Sequence, residues 1–246
     1  MKRLKILSWG LLCTAMSAKA DEFSLGVAAM VVASPYVKTQ ARVLPVPVLG
    51  YEGEHGYFRG LAGGVYLWND EHHTLSVNAY YLPFQYDPDD SDNDAMKRLD
   101  KRRSTLMAGM GYRYKHPVWG QLRLEISGDT LNNSNGILGD IGYLYPITLD
   151  AWRLAPAAGL TWTSGTHNDY YYGVSASESA RSGLTQYQPG SSWTPYVEMS
   201  VNYRFNENWR AFFIARGTAL SSEVSNSPMV SEEFSGMLMT GVSYVY

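Results

Sequence analysis

The ten residues at 237–246 read Met-Leu-Met-Thr-Gly-Val-Ser-Tyr-Val-Tyr. In an extended chain Leu238, Thr240, Val242, Tyr244 and Tyr246 share one face, and the sequence stops on an aromatic ring. A row of this kind suits lipid, with the tyrosines seated where the bilayer meets water. Lipid cannot satisfy an open strand edge, so one membrane strand implies a closed ring of them.

The other end of the chain points to the same compartment. Lys2, Arg3 and Lys5 precede an apolar run over 6–16, followed by Ala18-Lys19-Ala20. This is the pattern of a secretory signal peptide over 1–20, with cleavage expected between Ala20 and Asp21. Lipidation at Cys13 is disfavoured because Leu12 stands where a small residue is required. The run is also far short of the roughly 20 residues of a spanning helix. Cleavage removes Lys2, Arg3, Lys5 and Lys19 and no acid, which takes the net charge from −3 to −7. The acidic remainder argues against nucleic-acid binding. It also contains no cysteine, because Cys13 is the only one.

With 19 Tyr, 7 Trp and 23 Gly and a mean hydropathy of −0.23, the chain is rich in aromatics without being hydrophobic overall. A membrane barrel combines these properties, since its polar interior rows offset the lipid face. A secreted β-sandwich shares the short alternating strands but leaves the terminal strand unexplained.

Alternation predicts strands at 23–32, 42–51, 57–68, 74–84, 104–115, 121–130, 137–146, 152–163, 193–205, 209–218 and 234–246. Leu122, Leu124 and Ile126 alternate with Arg123, Glu125 and Asp129; Val197, Met199, Val201 and Tyr203 alternate with Glu198 and Arg204. Eleven strands cannot stand, because bacterial single-chain barrels have an even number. Pro45 and Pro47 weaken the segment at 42–51, whose omission leaves ten strands. One unrecognised strand makes twelve, the preferred count, since Val43, Val46, Val48 and Tyr51 suit a strand better than an exposed loop. The expected fold is an all-β transmembrane antiparallel β-barrel of 10–12 strands, formed by 21–246 as a single domain. With a periplasmic C-terminus, the long connections at 85–103, 131–136, 164–192 and 220–233 are extracellular. The turns at 69–73, 116–120, 147–151 and 206–208 are periplasmic.

Four constellations are candidate sites. Asp87, Asp89, Asp90, Asp92 and Asp94 offer carboxylates for calcium, yet lack the glycine and distal glutamate of a calcium loop, and a basic run follows them. Asp70-Glu71-His72-His73 offers imidazoles, but adjacent histidines on a strand end point to opposite faces. His167, Asp169, Ser175 and Ser177 share one loop without a nucleophile-elbow pattern. Lumenal charges such as Arg123, Glu125, Asp129, Glu198 and Arg204 read as a plug of ion pairs, with a narrow channel as the alternative. No catalytic, cofactor or metal residue is assigned.

Several stretches together resemble the family of the MltA-interacting protein and outer-membrane protein V. They are Pro-Val-Pro-Val-Leu-Gly-Tyr-Glu-Gly at 45–53 with Phe-Arg-Gly-Leu-Ala-Gly-Gly at 58–64, and Leu-Asp-Lys-Arg-Arg-Ser-Thr at 99–105 leading into Met-Ala-Gly at 107–109. Further on stand Gly-Asp-Thr-Leu-Asn-Asn-Ser-Asn-Gly at 128–136, Asp-Tyr-Tyr-Tyr-Gly-Val-Ser at 169–175 with Glu-Ser-Ala-Arg-Ser-Gly-Leu at 178–184, and Asn-Ser-Pro-Met-Val at 226–230. Asn132 stands where the family pattern has Asp, and Tyr246 where it more often has Phe.

The resemblance implies a non-enzymatic outer-membrane scaffold joining a murein lytic transglycosylase to a bifunctional penicillin-binding murein synthase. It also implies contact with outer-membrane lipid and lipopolysaccharide, and insertion by the barrel assembly machinery, which reads a terminal aromatic strand. A surface adhesin is the other class, with Tyr170, Tyr171, Tyr172 and Arg181 suited to protein or glycan contact.

Overall fold

The computed structural model describes residues 22–39, 41–83 and 85–246, apart from the side chain of Arg42. The expected cleavage site at Ala20 and Asp21 lies outside them. The strands are β1 (Glu22–Val32), β2 (Arg42–Glu52), β3 (Gly56–Arg59), β4 (Ala62–Asn69), β5 (His73–Leu82), β6 (Thr105–His116) and β7 (Gly120–Asp129). Then come β8 (Ile137–Leu144, continued by Ile147–Leu149), β9 (Trp152–Thr163), β10 (Ser192–Arg204), β11 (Trp209–Ala219) and β12 (Phe234–Val245). The two pieces of β8 pair with successive parts of β9 on either side of Pro146, so they form one strand with a proline break.

The ring is a closed 12-strand antiparallel barrel. Its seam joins the two ends of the chain, with Ser24 opposite Val245 and Val32 opposite Met237. The Tyr246 N–H donates to the Phe23 carbonyl at 2.9 Å, and the two rings lie 5.6 Å apart. The terminal aromatic therefore locks the seam at the end where both termini emerge. Leu238 and Val242 face outward as their alternation requires, while Met239 is 2 % exposed and faces in.

The parity fault arises at 57–68, which is two strands rather than one. Gly60 takes φ +64, a left-handed value that glycine adopts freely, and turns the chain between β3 and β4. Alternation alone hid the turn because the apolar character of the outward face continues across it, from Phe58 to Val65 and Leu67. The proline-bearing segment at 42–51 is a genuine strand. Leu49 accepts a hydrogen bond from Gly60 N at 2.7 Å, so its backbone points toward β3. Backbone direction alternates along a strand, so Pro45 and Pro47 point the same way, above the place where β3 ends. They occupy positions where an N–H would find no ladder partner among the described residues, which is where prolines are tolerated.

The long connections and the short turns fall at opposite ends of the barrel. At one end are 33–41, 83–104, 130–136, 164–191 and 220–233; at the other are turns at 53–55, 70–72, 117–119, 150–151 and 205–208 with both termini. Trp68, Trp119, Trp152, Trp209 and Tyr246 ring the second end, as an aromatic girdle does at a bilayer interface.

The lumen has two unlike walls. Above the ion pairs Glu22–Arg210 and Glu52–Arg59 at its turn-bearing end, the wall formed by β11, β12, β1 and β2 is apolar, built on Ala28, Met30, Val46, Ile214 and Met239. Across β6 to β11 the lumen is charged, a division that strand-by-strand alternation does not show.

Candidate functional site

The outer mouth of the barrel is covered by a packed lid. Its core unites Tyr36 from 33–41, Tyr86, Met96 and Leu99 from 83–104, Tyr171, Tyr172 and Val174 from 164–191, and Val224, Met229 and Val230 from 220–233. Two short helices stiffen it, α1 (Gly165–Tyr172) and α2 (Ala176–Ser182). Ser164 caps α1. Ser175 and Glu178 form a reciprocal capping box at the start of α2, and Gly183 ends it at φ +80.

Polar contacts bind these loops to one another. The guanidinium of Arg102 reaches Glu178 at 2.8 Å and donates to the Gly173 carbonyl at 3.0 Å, with both charged side chains buried. Burial pushes the Glu178 carboxyl up. The Ser175 and Asp100 amides and the Arg102 charge outweigh it, holding the group below the usual glutamate value. The Tyr36 hydroxyl donates to the Tyr171 carbonyl at 3.2 Å, and the Ser227 hydroxyl to the Tyr172 carbonyl at 2.6 Å.

The lid reassigns the residues considered for surface contact. Tyr171 is 0 % exposed and Tyr172 8 %. The Tyr170 hydroxyl accepts from Arg103 N, and Arg181 is held by Asp100 at 2.6 Å. Burying Tyr171 and Tyr172, with Tyr170 half-buried against them, is what allows four loops to share a core, so these side chains serve packing.

The catalytic candidates separate in the same way. His167 is buried, its Nδ1 lying 3.4 Å from the Ser134 hydroxyl, and burial lowers its pKa to about 4. Ser175 is committed to the α2 cap, with Ser177 at 3.1 Å beside it. Asp169 accepts the Gly173 amide through its backbone carbonyl.

In the acidic loop Asp87 pairs with Lys101 at 2.6 Å, and among the described residues no group of three or more acids and histidines is placed to hold a metal. Asp70 folds its carboxylate onto the amides of His72 and His73, while His73 Nδ1 meets the Tyr112 hydroxyl at 2.7 Å.

Of the lumenal charges, Arg123 pairs with Asp140 at 2.8 Å and donates to the Tyr196 hydroxyl at 2.7 Å. Arg216 lies 3.6 Å from the centre of the Tyr196 ring and 3.5 Å from Glu198. This network of pairs runs along the lumenal wall from β7 to β11. Two expected members lie elsewhere. Asp129 collects the Leu131, Ser134 and Asn135 amides and so organises the loop at 130–136. Arg204 ends β10 exposed at the turn-bearing rim, because the strand there has run past the lumen. Alternation gives the face of a residue but not its height.

The profile of the family described as "MltA-interacting protein MipA" matches residues 25–246. The chain belongs to this family. It is 45 % identical over 249 residues to the MltA-interacting protein of Escherichia coli K12, covering 100 % of both chains. It is 37 % identical over 228 residues to the putative outer membrane protein YiaT of the same strain, covering 93 % of this chain and 92 % of that one. Among solved structures, the COG4313 outer membrane channel of Pseudomonas putida F1 has a TM-score of 0.51 at 11 % identity, covering 94 % of this chain and 97 % of the other; it supports the barrel fold.

As a member of the MltA-interacting protein family with a closed barrel, the chain is an outer-membrane protein. Its long connections are therefore extracellular and its short turns periplasmic. The family stretches at 99–105, 169–175, 178–184 and 226–230 converge on the lid, although long sequence separations divide them. Asn132 sits at φ +54, a left-handed conformation that asparagine tolerates.

Proposed function

We propose that this chain is a non-enzymatic scaffold that holds a murein lytic transglycosylase beside a bifunctional penicillin-binding synthase at the inner face of the outer membrane. The observation that carries the reading is the full-length 45 % identity to a protein named for its interaction with MltA. Holding two weakly associating enzymes on one platform raises the effective concentration of each for the other, without any chemistry by the barrel.

The periplasmic rim is the surface such partners reach. Its turns carry Glu54, Asp70, Glu71, Asp150 and Glu207 and contain no Lys or Arg. Arg153 and Arg204 stand exposed at the strand ends beside these turns, so the excess of acid lies in the turns themselves, where it steers a basic partner at long range and makes association salt-sensitive.

The test is capture of purified lytic transglycosylase by the barrel in detergent. Combining Glu54→Gln, Glu71→Gln, Asp150→Asn and Glu207→Gln should weaken capture, while Tyr170→Ser in the lid leaves it intact. Capture that survives the rim variant and fails in the lid variant overturns the reading. Export through a signal peptide is part of the same proposal. Protein isolated from outer membranes should have an intact mass beginning at Asp21, and retention of residues 1–20 would contradict it.

A further inference from the structure

Two charged side chains of the lumen are left over once its ion pairs are made. Arg59 holds Glu52, Arg123 holds Asp140 and Arg216 holds Glu198. The side chains of Arg113 on β6 and Glu125 on β7 make no hydrogen bond or ion pair with any described residue. Both are only partly buried, and both line the cavity of about 270 Å³ beneath the lid. Their charges therefore face the contents of the cavity and are not sealed within the wall.

The strand register puts the two within reach of one small molecule. Arg113 stands opposite Arg123 and Gly111 opposite Glu125, so Arg113 and Glu125 are diagonal neighbours on adjacent strands, both directed to the lumen. The Cα atoms of such neighbours lie about 7–8 Å apart. The side chains do not pair with one another. Among charged and ionisable groups, Arg59 and Tyr57 of β3 act most strongly on Arg113, and Arg123 and Asp140 act most strongly on Glu125. Arg113 with Arg59 thus makes a cationic corner and Glu125 with Asp140 an acidic one, and the cavity borders both. Arg59 and Asp140 already have partners, so the unmet charge in each corner belongs to Arg113 and to Glu125.

A charge held away from bulk water without a partner is costly, and two of opposite sign a strand apart complement a molecule that carries both. A simple anion would be repelled by Glu125 and a simple cation by Arg113, whereas a zwitterion meets an opposite charge at each end. The lid end of the cavity is lined by Leu82, Tyr86 and Val224, a mainly apolar surface. A cavity of roughly 150 Å³ already admits a benzene ring, so the larger space here accommodates an apolar side chain as well as the charged groups.

We propose that the cavity beneath the lid binds a small zwitterion of the amino-acid type, its carboxylate held by Arg113, its ammonium by Glu125 and its apolar side chain directed toward the lid. Neither residue belongs to an ion pair of the wall, so binding leaves Arg123–Asp140 and Arg216–Glu198 in place. The site is separate from the periplasmic turns, and its test does not depend on capture of a lytic transglycosylase.

The test is equilibrium dialysis of radiolabelled L-phenylalanine against the full barrel in phosphatidylcholine nanodiscs, with protein-free nanodiscs as the blank. Dialysis runs to equilibrium, so slow opening of the lid changes the time needed and not the affinity. Binding should saturate at one phenylalanine per barrel. 3-Phenylpropanoate lacks the ammonium and 2-phenylethylamine lacks the carboxylate; each should compete about tenfold less well or worse, as expected for loss of a charge-assisted hydrogen bond. Glu125→Gln should weaken phenylalanine about tenfold and leave 3-phenylpropanoate no weaker. Arg113→Gln should weaken phenylalanine and 3-phenylpropanoate alike and leave 2-phenylethylamine no weaker. If a single variant loses the heat-dependent gel shift of the folded barrel, the double variant, in which neither charge is left unpaired, must bind all three ligands with similar, weak affinity. Absence of saturable binding, analogues that compete as well as phenylalanine, or single variants that weaken all three ligands equally would overturn the proposal.

Discussion

Glu178 is where most of the lid's polar organisation meets. It caps α2, accepts the Asp100 amide at 2.9 Å and neutralises the buried Arg102. Glu178→Ala leaves that guanidinium unpaired, and breaking a buried pair in this way costs about 3–5 kcal/mol. The expected result is early proteolysis within 164–191 while the barrel stays folded on a gel without heating.

His167 adds a dependence on pH. Burial depresses its pKa from 6.5 to about 4, so the folded lid keeps the ring neutral where the opened lid would protonate it. The lid therefore has its full stability above 6.5 and loses it as pH falls toward 4, by up to roughly 3 kcal/mol for a shift of that size. Glu178, also depressed, acts in the same direction at lower pH. Amide exchange in α1 should accelerate between pH 7 and 4, and His167→Gln should remove the part lying between 6.5 and 4. Both residues could be picked out in the sequence as polar loop residues, but their burial could not, because it depends on three other loops.

At the scale of elements, the short hairpin of β3 and β4 sets the shape of the wall. Gly60 meets nothing within 4 Å where a Cβ would stand, so its requirement is conformational. Gly60→Val should cost about 1 kcal/mol or somewhat more, through the left-handed φ alone. Urea unfolding in lipid vesicles would measure it. The prolines of β2 make the converse case. Pro45→Thr with Pro47→Thr introduces two amide donors on the side of β2 that has no strand partner among the described residues, each a cost of about 1–3 kcal/mol when buried without a partner. The double variant should refold less completely than the parent, and a gain in stability would mean that those amides find partners in the wall. Sequence patterning exposed both prolines and the glycine, but it read them as a weak strand followed by one long strand. The missing information was pairing: a strand's edge is tolerant of proline only if its neighbour has ended.

For the whole molecule, the decisive contact joins its ends. β12 lies between β11 and β1, and the ladder from Ser24–Val245 to Val32–Met237 closes the ring. Removing 237–246 should abolish the closed barrel, seen as loss of the heat-dependent gel shift. Tyr246→Phe should retain it, since the ring packing on Phe23 and the backbone bond to its carbonyl need no hydroxyl.

Local periodicity was enough to establish a membrane barrel, its compartment and the outward face of most strands, because the side-chain period of a strand is a property of neighbouring residues. Loop lengths then set which end faces the periplasm. The terminal ten residues carried both inferences, and their outward row stands as read. The twelfth strand and the lid came only from the tertiary structure. Each depends on residues far apart in the chain, such as Tyr36 with Tyr171 or Leu49 with Gly60 in a wall where β3 stops. Whether a ring is buried or a backbone edge is paired is decided by what the rest of the chain places beside it.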